Sequence, residues 1–133
     1  MRRGEIRLTD LDPARGSEAD KRRPTVIVSN DGANASAEAL GRGMVTVVPV
    51  TTNIRRVHPF QVLLESSDSG FTHDSKAQAE QVRSVAVERV GTRIGAVPPE
   101  VMAKLDEALR VHLSLKRRRI GTTAWRSGTR SRR

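Results

Sequence analysis

Met44-Val45-Thr46-Val47-Val48-Pro49-Val50-Thr51 decides how this chain is read. Valine and threonine at six of these eight positions favour a pleated, half-buried strand over a helix. Pro49 cannot donate to a ladder, so the strand is expected to meet an edge or a bulge just before Thr51. Upstream, Pro24 to Val28 is a second β-branched run, read as a strand buried on both faces, and Glu5 to Thr9 alternates polar and apolar residues as a half-buried strand does. The stretch Asp12 to Arg23 between them, with Pro13, Gly16 and a series of charges, is expected to be a long solvated loop, and loops of that length are more often functional than incidental. A helical turn is expected at Ala35 to Leu40. Downstream, Phe60 to Leu64 reads as a strand ended by a turn at Gly70, Ser75 to Gln81 as a short strand or turn, and Arg93 to Val97 as the last strand. Pro98-Pro99 then opens a helix in which Val101, Leu105, Ala108, Leu109, His112 and Leu113 recur at helical spacing. Several short strands with one closing helix predict a mainly β domain, a small and strongly bent sheet or barrel with a C-terminal amphipathic helix.

The 133 residues have room for one domain. The chain has no cysteine, which removes disulfides, thiolate metal sites and thiol nucleophiles. Its 24 Lys and Arg against 15 Asp and Glu give a net charge of +9. Eight of those cations and none of the anions fall from Lys116 to Arg133, so residues 1–115 carry 16 against 15 and a net charge of +1. The division expected is a folded domain over 1–115 and a basic, disordered tail over 116–133. No stretch approaches the roughly 20 apolar residues of a membrane span, and the chain reads as a soluble, cytoplasmic protein. Asn34-Ala35-Ser36 spells a glycosylation acceptor without a secretory signal and is set aside.

Common signatures for phosphate loops, zinc hydrolases and serine hydrolases are absent, and no metal or cofactor is expected. Asp10 and Asp12 fit a turn better than a pair of metal ligands. His58 follows Arg55-Arg56, His73 looks like turn chemistry, and His112 falls on the apolar stripe of the last helix as a partly buried packing residue. Lys21-Arg22-Arg23 is more informative, because a strand fixes the direction of the residue at its entrance. Arg23 is therefore held, and its planar fork can grip two phosphate oxygens. The competing reading is an ordinary charged loop end.

Longer blocks carry a resemblance. Arg3-Gly4-Glu5-Ile6, Asp10-Leu11-Asp12-Pro13 followed by Gly16-Ser17-Glu18, and Arg23-Pro24 entering a strand that ends in Ser29-Asn30-Asp31 come first. They are followed by Val47-Val48-Pro49-Val50-Thr51-Thr52-Asn53, Pro59-Phe60-Gln61-Val62, Asp74-Ser75, Glu80-Gln81-Val82-Arg83 and Leu105-Asp106-Glu107-Ala108-Leu109. In this order and spacing the blocks resemble the MazF/PemK family of toxin endoribonucleases over about Arg2 to Leu115.

The resemblance implies an SH3-like barrel with a C-terminal helix, working as a symmetric homodimer. It implies metal-independent, sequence-specific cleavage of single-stranded RNA by attack of the ribose 2′-OH on its own phosphate, giving 2′,3′-cyclic phosphate and 5′-OH ends. It puts the catalytic roles on Arg23 and Thr51 and RNA contacts on Asn30 and Gln81. With only three aromatic residues in the chain, recognition is expected to rest on hydrogen bonds from loop groups, and Ser17, Glu18 and Asn53 complete the expected RNA-binding set. An arginine makes a poor general base, which leaves Glu18 and a water as candidates for that role. The resemblance also implies a MazE-like antitoxin whose acidic, apolar segment occupies the RNA groove. Arg7 departs from the family, which often has an aromatic or aliphatic residue there, and is read as either a phosphate contact or a solvent-facing residue. Two other readings stay open: a non-catalytic toxin of the same fold that inhibits a protein target such as a topoisomerase, and a non-specific nucleic-acid binder driven by the tail.

Overall fold

The computed structural model describes residues 1–13, 15–19 and 21–116. Seven strands and three helices follow in the order β1 (Glu5–Asp10), β2 (Arg22–Ile27), α1 (Asp31–Leu40), β3 (Met44–Thr51), β4 (Gln61–Leu64), α2 (Ser66–Ser69), β5 (Ser75–Gln78), β6 (Arg83–Ala86), β7 (Val90–Ala96) and α3 (Pro99–Leu113). Single turns of 3-10 helix at Ala79–Gln81 and Val87–Arg89 flank β6. The main ladder runs β4-β5-β3-β2-β1-β7, antiparallel throughout, with β6 added to β3. This is the expected mainly β domain with a C-terminal helix.

β3 occupies Met44–Thr51 as its sequence predicts, and Pro49 sits where a missing N–H does least harm. On one side β3 pairs with β2. On the other it pairs with β6 over Met44 to Val47 and with β5 at Val50 and Thr51. Val48 and Pro49 fall in the gap between these partners, so a residue without a donor lies where the chain bends from one sheet into the next.

Two apolar clusters fill the two sides of the bend. Ile6, Val26, Val48, Val50, Leu64 and Leu105 belong to one, with α3 laid over it, and Leu11, Ile27, Val45, Val47 and Val85 to the other. Only the first part of α3 covers the core: Leu105 and Ala108 are buried, whereas His112 and Leu113 are exposed. His112 is therefore no packing residue, because the last turn of the helix runs past the sheet it would pack against. Ser114 ends the helix in the left-handed region. Among the described residues no helix is long and apolar enough to cross a membrane. The tail from 117 onward lies outside the described residues.

The strand β6 has no counterpart among the elements expected from sequence, and α1 begins four residues earlier than the turn expected at Ala35. Asn34 in that helix is fully buried, with its amide donating to Ser29 O at 2.9 Å, which removes it as a modification site. The Met1 amine bonds Glu38 and holds its carboxyl below the ordinary range, mainly by that hydrogen bond and then by its charge. Gly95 marks a close approach: a Cβ there would lie 2.4 Å from Ser69 O, so α2 can rest on β7 only because that position has no side chain.

Candidate active site

Arg23 lies in β2 and Thr51 ends β3. The two strands pair with Thr25 opposite Pro49 and Val26 opposite Val48. The ladder ends at the Thr25–Pro49 pair, and Arg23 and Thr51 each lie two positions beyond it at that end of the two strands. Both are half-buried. Arg23 is the ladder partner of Thr9 in β1, which fixes its place at the start of β2. Thr9 and Thr25 are fully buried, and their hydroxyls share a hydrogen bond of 2.8 Å. Thr25 donates onward to Arg7 O at 3.2 Å.

Thr51 Oγ1 accepts the Asn53 N–H at 3.2 Å, a short turn that leaves the threonine proton available for an outside acceptor. Asn53 Oδ1 in turn accepts from Arg55 N at 3.3 Å. Thr51 lines a cleft of about 220 Å³ with Pro24, Val50, Phe71, His73 and Ser75 among its walls. His73 and Phe71 come to this cleft from the far side of the β4–β5 connection. Nothing in their local sequence announced it.

The other expected RNA contacts fall into two places. Ser17, Glu18 and Gln81 meet at the β1–β2 connection. Gln81 Oε1 accepts from Ala19 N at 3.0 Å and Gln81 Nε2 donates to Ser17 O at 2.8 Å, while Glu18 Oε1 accepts from Arg15 N at 2.7 Å. Glu18, Glu80, Gln81 and Arg83 line a shallow depression there. Asn30 is elsewhere: it caps α1, its Oδ1 accepting from Ala33 N at 2.8 Å, beyond the opposite end of β2 from Arg23. Seven residues separate the two, roughly 20 Å of extended chain at about 3.3 Å per residue.

Arg7 is turned into the protein and partly buried. Its guanidinium is bonded to Glu5 at 2.9 Å and to Gly91 O at 3.2 Å. His58 stacks on Phe60 with ring centroids 5.0 Å apart. Asp10 Oδ1 accepts from Asp12 N at 3.1 Å, the turn expected of that pair. Lys76, 8% exposed and the ladder partner of Thr51, donates to Arg56 O at 2.6 Å and so fixes the basic connector after the site. Among the described residues no group of three or more His, Asp or Glu side chains is arranged to hold a metal.

Residues 2–113 match the model of the PemK-like, MazF-like toxins of type II toxin-antitoxin systems. The chain belongs to this family. Among curated relatives, this family member is 62% identical over 115 residues to endoribonuclease MazF9 of Mycobacterium tuberculosis, covering 86% of this chain and 98% of that one. It is 32% identical over 117 residues to endoribonuclease EndoA of Bacillus subtilis, covering 86% and 96%. Among solved structures it superposes with a TM-score of 0.68 on a mycobacterial endoribonuclease in complex with its cognate antitoxin, at 27% identity, covering 89% of this chain and 99% of that one. MazF from Deinococcus radiodurans, at 22% identity and a TM-score of 0.69 over 86% and 97%, shares the fold.

Proposed function

We propose that this family toxin is a sequence-specific endoribonuclease that cuts single-stranded RNA without a metal, as a cytoplasmic homodimer held inactive by a MazE-like antitoxin. The observation that supports the chemistry is that Arg23 and Thr51, a guanidinium and a hydroxyl, each lie two positions beyond the Thr25–Pro49 pair that ends the β2–β3 ladder. The high identity to an endoribonuclease along nearly its whole length favours cleavage over inhibition of a protein target.

In the reaction the 2′-oxygen loses its proton and bonds to the adjacent phosphorus. The P–O5′ bond breaks, and the 5′-oxygen leaves and takes up a proton. Negative charge gathers on the phosphoryl oxygens as the transition state forms. Arg23 donates two N–H groups to those oxygens, and Thr51 donates the proton that its turn with Asn53 leaves available. A guanidinium is a donor with no acceptor site, so Arg23 does not take up the 2′-OH proton. That base is Glu18 or a water. Ser17, Glu18, Asn30, Asn53 and Gln81 make up the RNA-binding set in this reading, Gln81 through the loop backbone that it holds and not by touching RNA. Residues 1–115 are the catalytic unit and 116–133 an accessory basic segment.

The test is the end chemistry of RNA incubated with the protein in EDTA. Fragments ending in 2′,3′-cyclic phosphate and beginning with 5′-OH are expected. Cleavage that stops in EDTA, or that leaves 5′-phosphates, overturns the reading.

A further inference from the structure

The β1–β2 connection, from Asp10 to Arg22, leads straight to Arg23. Its neck is closed by Leu11 N to Lys21 O at 3.0 Å and by Lys21 N to Asp12 Oδ1 at 2.8 Å. Its tip is exposed from Arg15 to Glu18. A single later segment reaches over it at several points. Gln81 meets the tip with both ends of its amide, at Ser17 O and Ala19 N. Arg83 Nη1 donates to Leu11 O at 3.2 Å. Arg89 Nη1 donates to Asp10 O at 3.3 Å and to Asp12 O.

We propose that Gln81 is a positioning residue which, with Arg83 and Arg89 at the neck, straps the β1–β2 loop into its RNA-ready pose before RNA arrives. Gln81 supplies one acceptor to a loop N–H and one donor to a loop carbonyl, the pairing a ladder strand would make, to a stretch of chain that has no strand beside it. Arg83 and Arg89 direct their donors to neutral carbonyls. The strap belongs to the segment that β6 joins to β3, with Val47 opposite Arg83. The strand that carries Thr51 thereby anchors the loop that leads into Arg23.

The consequence for catalysis rests on the RNA-cleaving reading. A loop that is already ordered presents its polar groups without an ordering cost, and apparent affinity falls in proportion to the fraction of molecules that hold the competent pose. Arg23 is held separately, by its pairing with Thr9. Loosening the strap should therefore raise KM and spare kcat.

The experiment uses the full chain, with amide hydrogen exchange in the absence of RNA and cleavage kinetics on one RNA containing the preferred site. In Gln81→Ala, exchange across 15–19 should rise about tenfold and KM about tenfold, with kcat held within about threefold, as the removal of two net hydrogen bonds predicts. Gln81→Glu keeps the acceptor for Ala19 N and loses the donor to Ser17 O, so it should fall between wild type and Gln81→Ala. Arg89→Met should raise exchange at Leu11 and Lys21. Unchanged exchange in Gln81→Ala with abolished cleavage means that Gln81 acts by touching RNA, and overturns the strap. A fall in kcat at constant KM means a smaller active fraction, and overturns it too. If wild type cuts no RNA, the functional reading fails by itself, and the exchange result still decides the strap.

Discussion

Thr9 and Thr25 join hydroxyls across β1 and β2 at 2.8 Å, with no exposure to solvent, and Thr9 is the strand partner of Arg23. A buried polar pair of this kind, beside Arg23, has an asymmetric energy. Thr25→Val leaves the Thr9 hydroxyl buried without its partner and should cost about 1–3 kcal/mol. Thr9→Val leaves Thr25 its acceptor at Arg7 O and should cost less. The double variant removes both groups and should regain part of the loss, a coupling that urea unfolding of the four proteins measures directly.

Arg23→Ala is expected to lower the cleavage rate about a hundredfold or more, as removal of a transition-state donor does. Arg23→Lys should fail nearly as badly, because an ammonium cannot reproduce the fork. Thr51→Val should lose rate while its strand stays folded. Single-turnover cleavage, with circular dichroism to check the fold, reads all three.

Asn30 separates a cap from an RNA contact. As the N-cap of α1 it should tolerate Asp, and Asn30→Ala should lose about 1 kcal/mol of stability. Thermal unfolding and RNA binding measured on both variants tell the roles apart. If Asn30→Asp melts like wild type yet binds RNA poorly, the side chain serves the ligand as well as the helix.

Gly95→Ala should destabilise by about 1–3 kcal/mol, since its new methyl would push on the Ser69 carbonyl and part α2 from β7. Lowered thermal stability with cleavage per folded molecule unchanged is the expected result.

Deletion of residues 116–133 should leave the cleavage site and melting temperature unchanged. RNA affinity should weaken, and its salt dependence should flatten by about 0.7 in log-log slope for each phosphate that the shortened protein no longer neutralises. Titrations of full-length and shortened Arg23→Ala protein over a range of salt check this.

Much of this fold was legible because its signals are local. The β-branched run of β3 has the same bounds in sequence and structure, Pro49 does fall at an edge, and Pro99 does open α3. Arg23 and Thr51 were tied together only by their family blocks, and the structure adds that both lie just past the end of the β2–β3 ladder. What local reading could not supply depends on distant partners. β6 has four residues and acquires its meaning from pairing with β3. Gln81 reaches loop atoms 62 and 64 positions away. Arg7 looked available because its partner at Gly91 lies on another strand, and His112 looked buried because helical spacing says nothing of where the sheet beneath ends.

The direction of the basic side chains bears on how this molecule meets a polyanion at a distance. Arg83 and Arg89 reach loop carbonyls and Lys76 the Arg56 carbonyl, within a domain whose net charge over 1–115 is only +1. Such a body projects little long-range field, so the barrel alone should encounter RNA at the unsteered rate of about 10⁵–10⁶ M⁻¹s⁻¹. Faster capture would have to come from the arginine-rich end, and the work would then divide between a segment that catches and a domain that chooses and cuts.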